Sequence, residues 1–452
     1  MGHDTTGHRL PELRVPPPGP ASRALAERLR AVESRNVTQV DSGWPVFWEE
    51  ARGANVVDAD GNVYLDLTAA FGVALMGHAH PGVVAAVTAQ AGRLVHGMGD
   101  VHPPSVKLRF LERLAATAPW LGARVVLSST GSEAVETALK TALMATGRPG
   151  VLAFQGSYHG LTLGSLAVTD RDLFREPFRG RLYGGVAFAR FPDPLRQDPG
   201  AAHDSLAEVA ALLEAGAPNG DAIGAVLVEP VQGRAGVRVA PEGFMAGLSS
   251  LAHRAGAVVI ADEIFTGMGR CGAFYASERV GLEPDLVCLG KALGGGLPLS
   301  ACLGRPEVME AWPESTGEAI HTSTFLGHPL ACAAGLAVLE AMEAEDIAGR
   351  AEALGRRLTE GLCAALEGAD GVAEIRSLGL MLGIELARGA AFEPIGGAAA
   401  RAARAALAEG VLVLPAGEHG HVLELTPPVD LTDEQCGFAV EVVARAVRTA
   451  LS

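Results

Sequence analysis

Asp285-Leu286-Val287-Cys288-Leu289-Gly290-Lys291-Ala292-Leu293-Gly294-Gly295-Gly296-Leu297-Pro298 is a short apolar run that stops at a lysine and passes at once into glycines. The run has the length and composition of a buried strand, and the glycines mark the turn that follows it. Of 36 basic residues only Lys107, Lys140 and Lys291 are lysines. Arginine supplies positive charge everywhere else, so a lysine at a strand end suggests a need for amine chemistry. A desolvated amine loses its proton and can form a Schiff base with a carbonyl, which a guanidinium cannot do. A lysine snorkelling from a strand end is the alternative on this stretch alone.

Working outward, short β-branched runs recur through residues 70–330: 125–127, 151–154, 225–228, 258–260 and 286–289. Helix-like stretches separate them, the pattern of a largely parallel sheet with helices on both faces. Ligands of such sheets bind beyond the carboxyl ends of the strands. Residues 129–133, Tyr158, His159, Glu229, Asp262, Glu263 and Lys291 stand in those places.

Ser129-Thr130-Gly131-Ser132-Glu133-Ala134 follows one run and opens a helix whose apolar stripe reads Ala134, Val135, Ala138, Leu139, Ala142 and Leu143. Free amides at a helix start suit a phosphate, although an ordinary N-cap with Glu133 reads the same way. No Walker A loop is present, and no GxGxxG opens a helix after a strand. Asp262 ends the run 258–261, and a carboxylate buried there needs a cation or donors. A protonated pyridine nitrogen would serve. Lysine, aspartate and a helix start together describe a pyridoxal-phosphate site, with Tyr158 either stacked on the ring or part of the core.

The flanks differ in character. Residues 1–20 are polar and proline-rich, which predicts a loose tail. Leu25, Leu29 and Val32 predict a helix over 22–33. Residues 44–67 alternate around Asp58-Ala59-Asp60-Gly61-Asn62, a hairpin signal. After 331, alanine-rich helical sequence frames two strand signals, 381–385 and 422–425.

Composition narrows the classes. The chain has 452 residues, 48 % hydrophobic and 19 % charged, with a net charge of -16. That describes a globular protein with a large core and disfavours nucleic acid or anionic membranes as partners. Six cysteines without ligand spacing read as reduced thiols, and no metal site is expected. No run is long enough to span a bilayer, so a soluble cytoplasmic protein is expected.

With these motifs in this order the chain resembles the class III, or ornithine/4-aminobutyrate-type, pyridoxal-phosphate aminotransferases of fold type I. The resemblance runs from about residue 44 to 428. It rests on Gly77-His78-Ala79-His80-Pro81, residues 129–140, Gly156-Ser157-Tyr158-His159-Gly160, Glu229-Pro230-Val231-Gln232-Gly233, residues 262–270 and Ser323-Thr324-Phe325-Leu326-Gly327-His328-Pro329. It implies an α/β fold: a large domain with a mostly parallel seven-stranded sheet covered by helices, and a smaller α+β domain. The expected division is a tail over 1–20, a small domain from 21–70 and 331–452, and a cofactor domain over 71–330.

The resemblance also implies roles. Lys291 would bond pyridoxal 5'-phosphate and move the substrate proton, and Asp262 would pair with the ring nitrogen. Gly131 and Ser132 would bind the phosphate. Tyr158 and Ile264 would cover the ring faces, with His159 and Glu229 behind. Thr324 would reach the phosphate of a neighbouring subunit, which makes a homodimer the expected unit. Phe71 would form an apolar wall of the substrate pocket. Phe265 stands where many relatives carry a glutamine near the ring hydroxyl. Most relatives have an acidic residue at Arg234 and many an arginine at Glu424, so the charges of that pair are exchanged here. Recognition of a substrate carboxylate would then move to Arg234 or be lost, unless both residues sit on a solvated rim. The expected reaction is amino transfer from an amine or amino acid to a keto acid or aldehyde. An aminomutase, epimerase, decarboxylase or lyase on the same fold is the alternative, and a non-catalytic cofactor-binding subunit a distant one.

Overall fold

The computed structural model describes residues 7–41, 43–196 and 200–452, so the first six residues of the expected tail lie outside it. Two compact units emerge, Pro81–Glu352 and Met1–His80 with Ala353–Ser452. The larger unit is built on a seven-stranded sheet. Its spatial order is Arg124–Ser128, Ser300–Gly304, Leu286–Leu289, Val258–Asp262, Ile223–Val228, Gly150–Phe154 and Val186–Ala189. Leu286–Leu289 through Val186–Ala189 run parallel, while Ser300–Gly304 runs antiparallel to both its neighbours. Val186–Ala189 and Ser300–Gly304 complete the set begun by the five runs seen in the sequence.

Alternate residues of the central strands pack against the helix Gly131–Thr146. Val151, Ala153, Ala225, Leu227, Val258, Ile260, Leu286 and Cys288 meet Ala134, Val135, Ala138 and Ala142 in one buried cluster. This is the period-two face of a sheet under the 3.6-period stripe of a helix. Small alanines bring the helix backbone close to the sheet. Leu143, expected in the stripe, is 45 % exposed, because the alanine face rotates it outward. Gly147, in the left-handed region at φ 66°, ends the helix.

The unit boundaries fall at 80/81 and 352/353, not at 70/71 and 330/331. The helix Pro329–Ala344 explains the shift: Ala331, Cys332, Ala334, Val338, Leu339 and Met342 are buried on several sides. It packs on the helices Pro81–Ala91 and Ser105–Ala115 of the large unit. Gly335 lies so close to Phe110 and Leu299 that a Cβ there would meet Leu299 Cδ2 at 2.9 Å.

In the other unit Trp48–Arg52, Asn55–Asp58 and Val63–Asp66 form an antiparallel meander, with Val411–Leu412 parallel to the third strand. Asp58 Oδ1 accepts from Asp60 N at 3.0 Å and Asn62 N at 2.8 Å and so closes the expected hairpin turn. The described part of the tail is not loose. Glu12 N donates to Val63 O at 3.0 Å, and Asn62 Oδ1 accepts from Arg14 N at 2.8 Å. The helix Pro20–Val32 buries Ser22 and Ala26, whereas Val32 is 84 % exposed, so its inner face is one turn earlier than expected. A second sheet pairs Val372–Leu378, Met381–Arg388, Val422–Leu425 and Leu414–Ala416 antiparallel. Glu424 faces Gly383 in this register and is 3 % exposed, so it is a buried strand residue and no part of a solvated rim. Among the described residues no helix is long and apolar enough to cross a membrane.

If the alanine face is the contact, Ala138→Leu should overpack the cluster and cost about 1–3 kcal/mol. Leu143→Ala should stay within about 0.5 kcal/mol. Thermal midpoints of the two variants check this, and equal losses would contradict the observed rotation of the helix.

Candidate active site

Register places the polar residues before any side chain is considered. Asp262 lies opposite Cys288 and Ala261 opposite Val228 in parallel pairs. Three neighbouring strands therefore end together, and Lys291, Asp262 and Glu229 leave that edge in a row. Gly150–Phe154 is next in the sheet, and Tyr158 and His159 lie in the loop that follows it. A cavity of about 220 Å³ opens at this edge. It is lined by Gly131, Ser132, Tyr158, His159, Gly160, Glu229, Arg234, Asp262, Ile264, Phe265 and Lys291.

Asp262 is 5 % exposed. Its Oδ2 lies 2.7 Å from His159 Nδ1, and its Oδ1 accepts from Ile264 N at 3.1 Å. With a carboxylate oxygen as acceptor, Nδ1 carries the imidazole proton. His159 is fixed in turn, its backbone N–H donating to Thr169 Oγ1 at 2.9 Å.

Glu229 ties two loops together. Its Oε1 accepts from Tyr158 N at 3.0 Å and its Oε2 from Gly233 N at 3.1 Å. Burial pushes this carboxyl up to about 7; the Asp262 charge adds to the rise, while His159 and the two amides oppose it. Tyr158 meets Phe174 edge-on, with centroids 5.8 Å apart, and burial raises its phenol against the pull of Arg234 and Arg171. Arg171 Nη1 donates to Arg234 O at 2.7 Å and anchors the loop that carries the Arg234 side chain.

The helix start is a capping box: Glu133 Oε2 accepts from Ser129 N and Thr130 N, both at 2.9 Å, and Thr130 Oγ1 caps Glu133 N. The N-cap reading holds, and at the same helix start Gly131 and Ser132 line the cavity with the helix dipole behind them. Gly131 packs tightly on Ile264: a Cβ would come within 2.9 Å of Ile264 Cδ1 and push that side chain aside. Gly160, at φ 125°, would collide with Ser132 Oγ if it carried a side chain.

Lys291 follows Gly290 at φ 46°, a left-handed setting that costs a non-glycine residue about 1–2 kcal/mol. Its Nζ lies 4.1 Å from the centroid of the Phe265 ring. The large unit therefore gathers Lys291, Asp262, Gly131, Ser132, Tyr158, His159, Glu229, Ile264 and Arg234 around one cavity. Thr324, in an exposed turn, does not line it. Phe71 and Glu424 belong to the other unit. Phe71 is 64 % exposed at φ 60°, in a left-handed turn at residues 69–72. Asp66 braces that turn by accepting from Thr68 N, Thr68 Oγ1 and Ala70 N, with His78 Nε2 2.8 Å away. The sequence reading missed Arg171; a lone arginine in a loop carries no local signal.

Comparison with known proteins agrees with this geometry. The family model for aminotransferase class-III matches residues 37–447. The chain is 35 % identical to the 5-aminovalerate aminotransferase of Pseudomonas aeruginosa over 94 % of this chain and 97 % of that one. It is 36 % identical to the 4-aminobutyrate aminotransferase of Mycobacterium tuberculosis, covering 94 % of this chain and 95 % of that one. Among solved structures, an amine transaminase of an uncultivated Pseudomonas species in its PLP-bound form superposes with a TM-score of 0.81 at 30 % identity, over 93 % of this chain and 98 % of that one. An (S)-enantioselective omega-transaminase from Thermomicrobium roseum gives a TM-score of 0.87 at 27 % identity, over 95 % and 99 %. The chain belongs to the class III aminotransferases. It is a fold type I enzyme and a pyridoxal-phosphate-dependent transaminase.

Glu229 gives this site a pH signature. Its ordinary value is 4.5 and its folded value about 7, so between these the folded chain keeps a proton that the unfolded chain has released. The stability it contributes is full below about pH 4.5 and is lost as pH rises through 7, by about 3 kcal/mol at most. Glu229→Gln should remove this fall, visible as a thermal midpoint that declines less than wild type from pH 5 to 8 (about one Glu titration range). Parallel profiles for the two proteins would contradict the assignment.

Proposed function

We propose that this cavity binds pyridoxal phosphate and that the enzyme takes the amino group from an ω-amino acid, whose remote carboxylate lands on Arg234. The observation that carries the reading is the presence of Arg234 and Lys291 in one cavity lining. The relatives named for 5-aminovalerate and 4-aminobutyrate support that donor class. The acceptor is a keto acid or aldehyde.

The donor set suits the cofactor. Asp262, already held by His159 Nδ1 and Ile264 N, keeps lone pairs for a pyridine N–H. Gly131 and Ser132, at the helix start, would hold the phosphate, and Ile264 and Tyr158 would cover the ring. When bound, the cofactor supplies a carbonyl for amine exchange and a ring that withdraws electrons from the substrate's Cα. Lys291 provides the amine that bonds this carbonyl and, once released, carries the proton from Cα. Glu229 holds the Tyr158 and Gly233 loops in register with the sheet edge. Arg234 offers a planar fork to a carboxylate, with its backbone fixed by Arg171.

We also infer a homodimer in which Thr324 serves the partner's phosphate. Thr324 is exposed and does not line the cavity of its own chain. Phe325 beside it is 59 % exposed and Ile320 69 % exposed, as expected of residues awaiting a second copy. The six cysteines are all free thiols, which supports a reducing, cytoplasmic setting.

Arg234→Ala should lower kcat/KM for 5-aminovalerate about 10- to 100-fold, the loss of a charged hydrogen-bonding partner. Pentylamine, which has no carboxylate, should be almost unaffected. Equal effects on both would contradict the donor assignment, and preference for a five-carbon diamine would point to an acidic group at the far end. Sedimentation should give about twice the 46.5 kDa chain mass; a fully active single chain would contradict the dimer.

A further inference from the structure

Phe265 has no part in the roles assigned so far, yet it lines the cavity and carries Lys291 Nζ over its ring at 4.1 Å. The ring is not there by chance of a mobile loop. It sits on the turn after Asp262, and that turn is anchored by the fully buried Glu263. Glu263 accepts from Thr266 Oγ1 at 2.6 Å, Ala276 N at 3.0 Å and Ser277 N at 2.7 Å. Gly267 N closes the turn on Glu263 O at 2.9 Å. The lysine end is equally constrained, because its left-handed backbone fixes where the side chain leaves the strand end. Two rigid supports therefore bring an amine onto an aromatic face.

We propose that Phe265 is a positioning residue for Lys291: its ring docks the amine whenever Nζ is not bonded to the cofactor carbonyl and favours its charged form. The inference rests on the reading of Lys291 as the carbonyl-binding amine. An aromatic face attracts an ammonium through its quadrupole and attracts a neutral amine much less. Unlike a carboxylate, the ring cannot take the proton, and it adds no negative charge beside an incoming carboxylate substrate. The proton collected by Lys291 thus stays on Nζ until it is delivered. Asp262, Glu229, His159, Tyr158 and Arg234 are the ionisable groups that share the cavity, and their net influence is the rival explanation for the charge state of Lys291.

The test uses the full-length enzyme loaded with pyridoxamine phosphate, in which Lys291 is not bonded to cofactor. Trace acetylation with acetic anhydride across a pH series, read by peptide mass spectrometry, gives a midpoint for each lysine. The chain's scarcity of lysine makes this clean, with Lys107 and Lys140 as internal references. Phe265→Leu should lower the Lys291 midpoint by about half a unit or more, the lower end of a ring–cation attraction. Phe265→Tyr, which keeps the ring, should restore the wild-type midpoint, and both reference lysines should stay put. A leucine variant that titrates like wild type would overturn the inference and leave the cavity charges in control. Where the leucine variant does not fold, Phe265→Met makes the same comparison with the same outcomes. Loading with pyridoxal phosphate instead should protect Lys291 from acetylation, and labelling that persists would overturn the underlying assignment rather than the role of Phe265.

Discussion

A carboxylate held at the end of an apolar strand is the constraint on which the site depends. Asp262 is almost wholly buried at its strand end, opposite Cys288 of the neighbouring strand, so little water reaches it. An isolated charge in that setting costs several kcal/mol unless donors surround it. His159 Nδ1 and Ile264 N supply two, and the cavity leaves room for a third. Around this need the other parts fall into place: His159 must be fixed by Thr169, its loop must be held by Glu229, and Glu229 is itself a buried carboxyl kept by two amides.

The sheet makes this arrangement possible. Parallel strands with matched registers end at one level, so residues scattered over more than a hundred positions of sequence leave the same edge. The helix Gly131–Thr146 reaches that edge because its alanine face lets it lie close on the sheet. Tight glycines at 131 and 160 then bring helix start and loop into contact distance of Ile264 and Ser132. A side chain at Gly160 would collide with Ser132, and one at Gly131 would displace the Ile264 side chain that lines the cavity.

Much of this was legible beforehand, and the reasons differ by residue. The runs at 125–127, 151–154, 225–228, 258–260 and 286–289 are β-branched and apolar, so periodicity and composition agreed on strands. Ser300–Gly304 was not found this way because Ser, Ala, Cys and Gly carry little strand signal; its burial comes from its neighbours. The unit boundary was misplaced because an alanine-rich helix gives no hint of which body it packs on until Phe110 and Leu299 are seen against Gly335. Proline content suggested a free tail, but the backbone of Glu12 pairs with Val63 regardless of side-chain composition. Strand ends named Lys291, Asp262 and Glu229 correctly as neighbours at one edge. Contacts made by side-chain direction, such as Lys291 on Phe265 or Arg171 on the Arg234 carbonyl, have no linear signature at all.

The claim that joins these features is that Lys291, alone among three lysines, is the amine that bonds the cofactor's carbonyl. Borohydride reduction of the enzyme loaded with pyridoxal phosphate, followed by peptide mapping, tests it most directly, because reduction makes that bond permanent. The account predicts one phosphopyridoxyl group per chain, on Lys291, with Lys107 and Lys140 unmodified. A stoichiometric label on either of those two, or a fully loaded enzyme with none on Lys291, would contradict it.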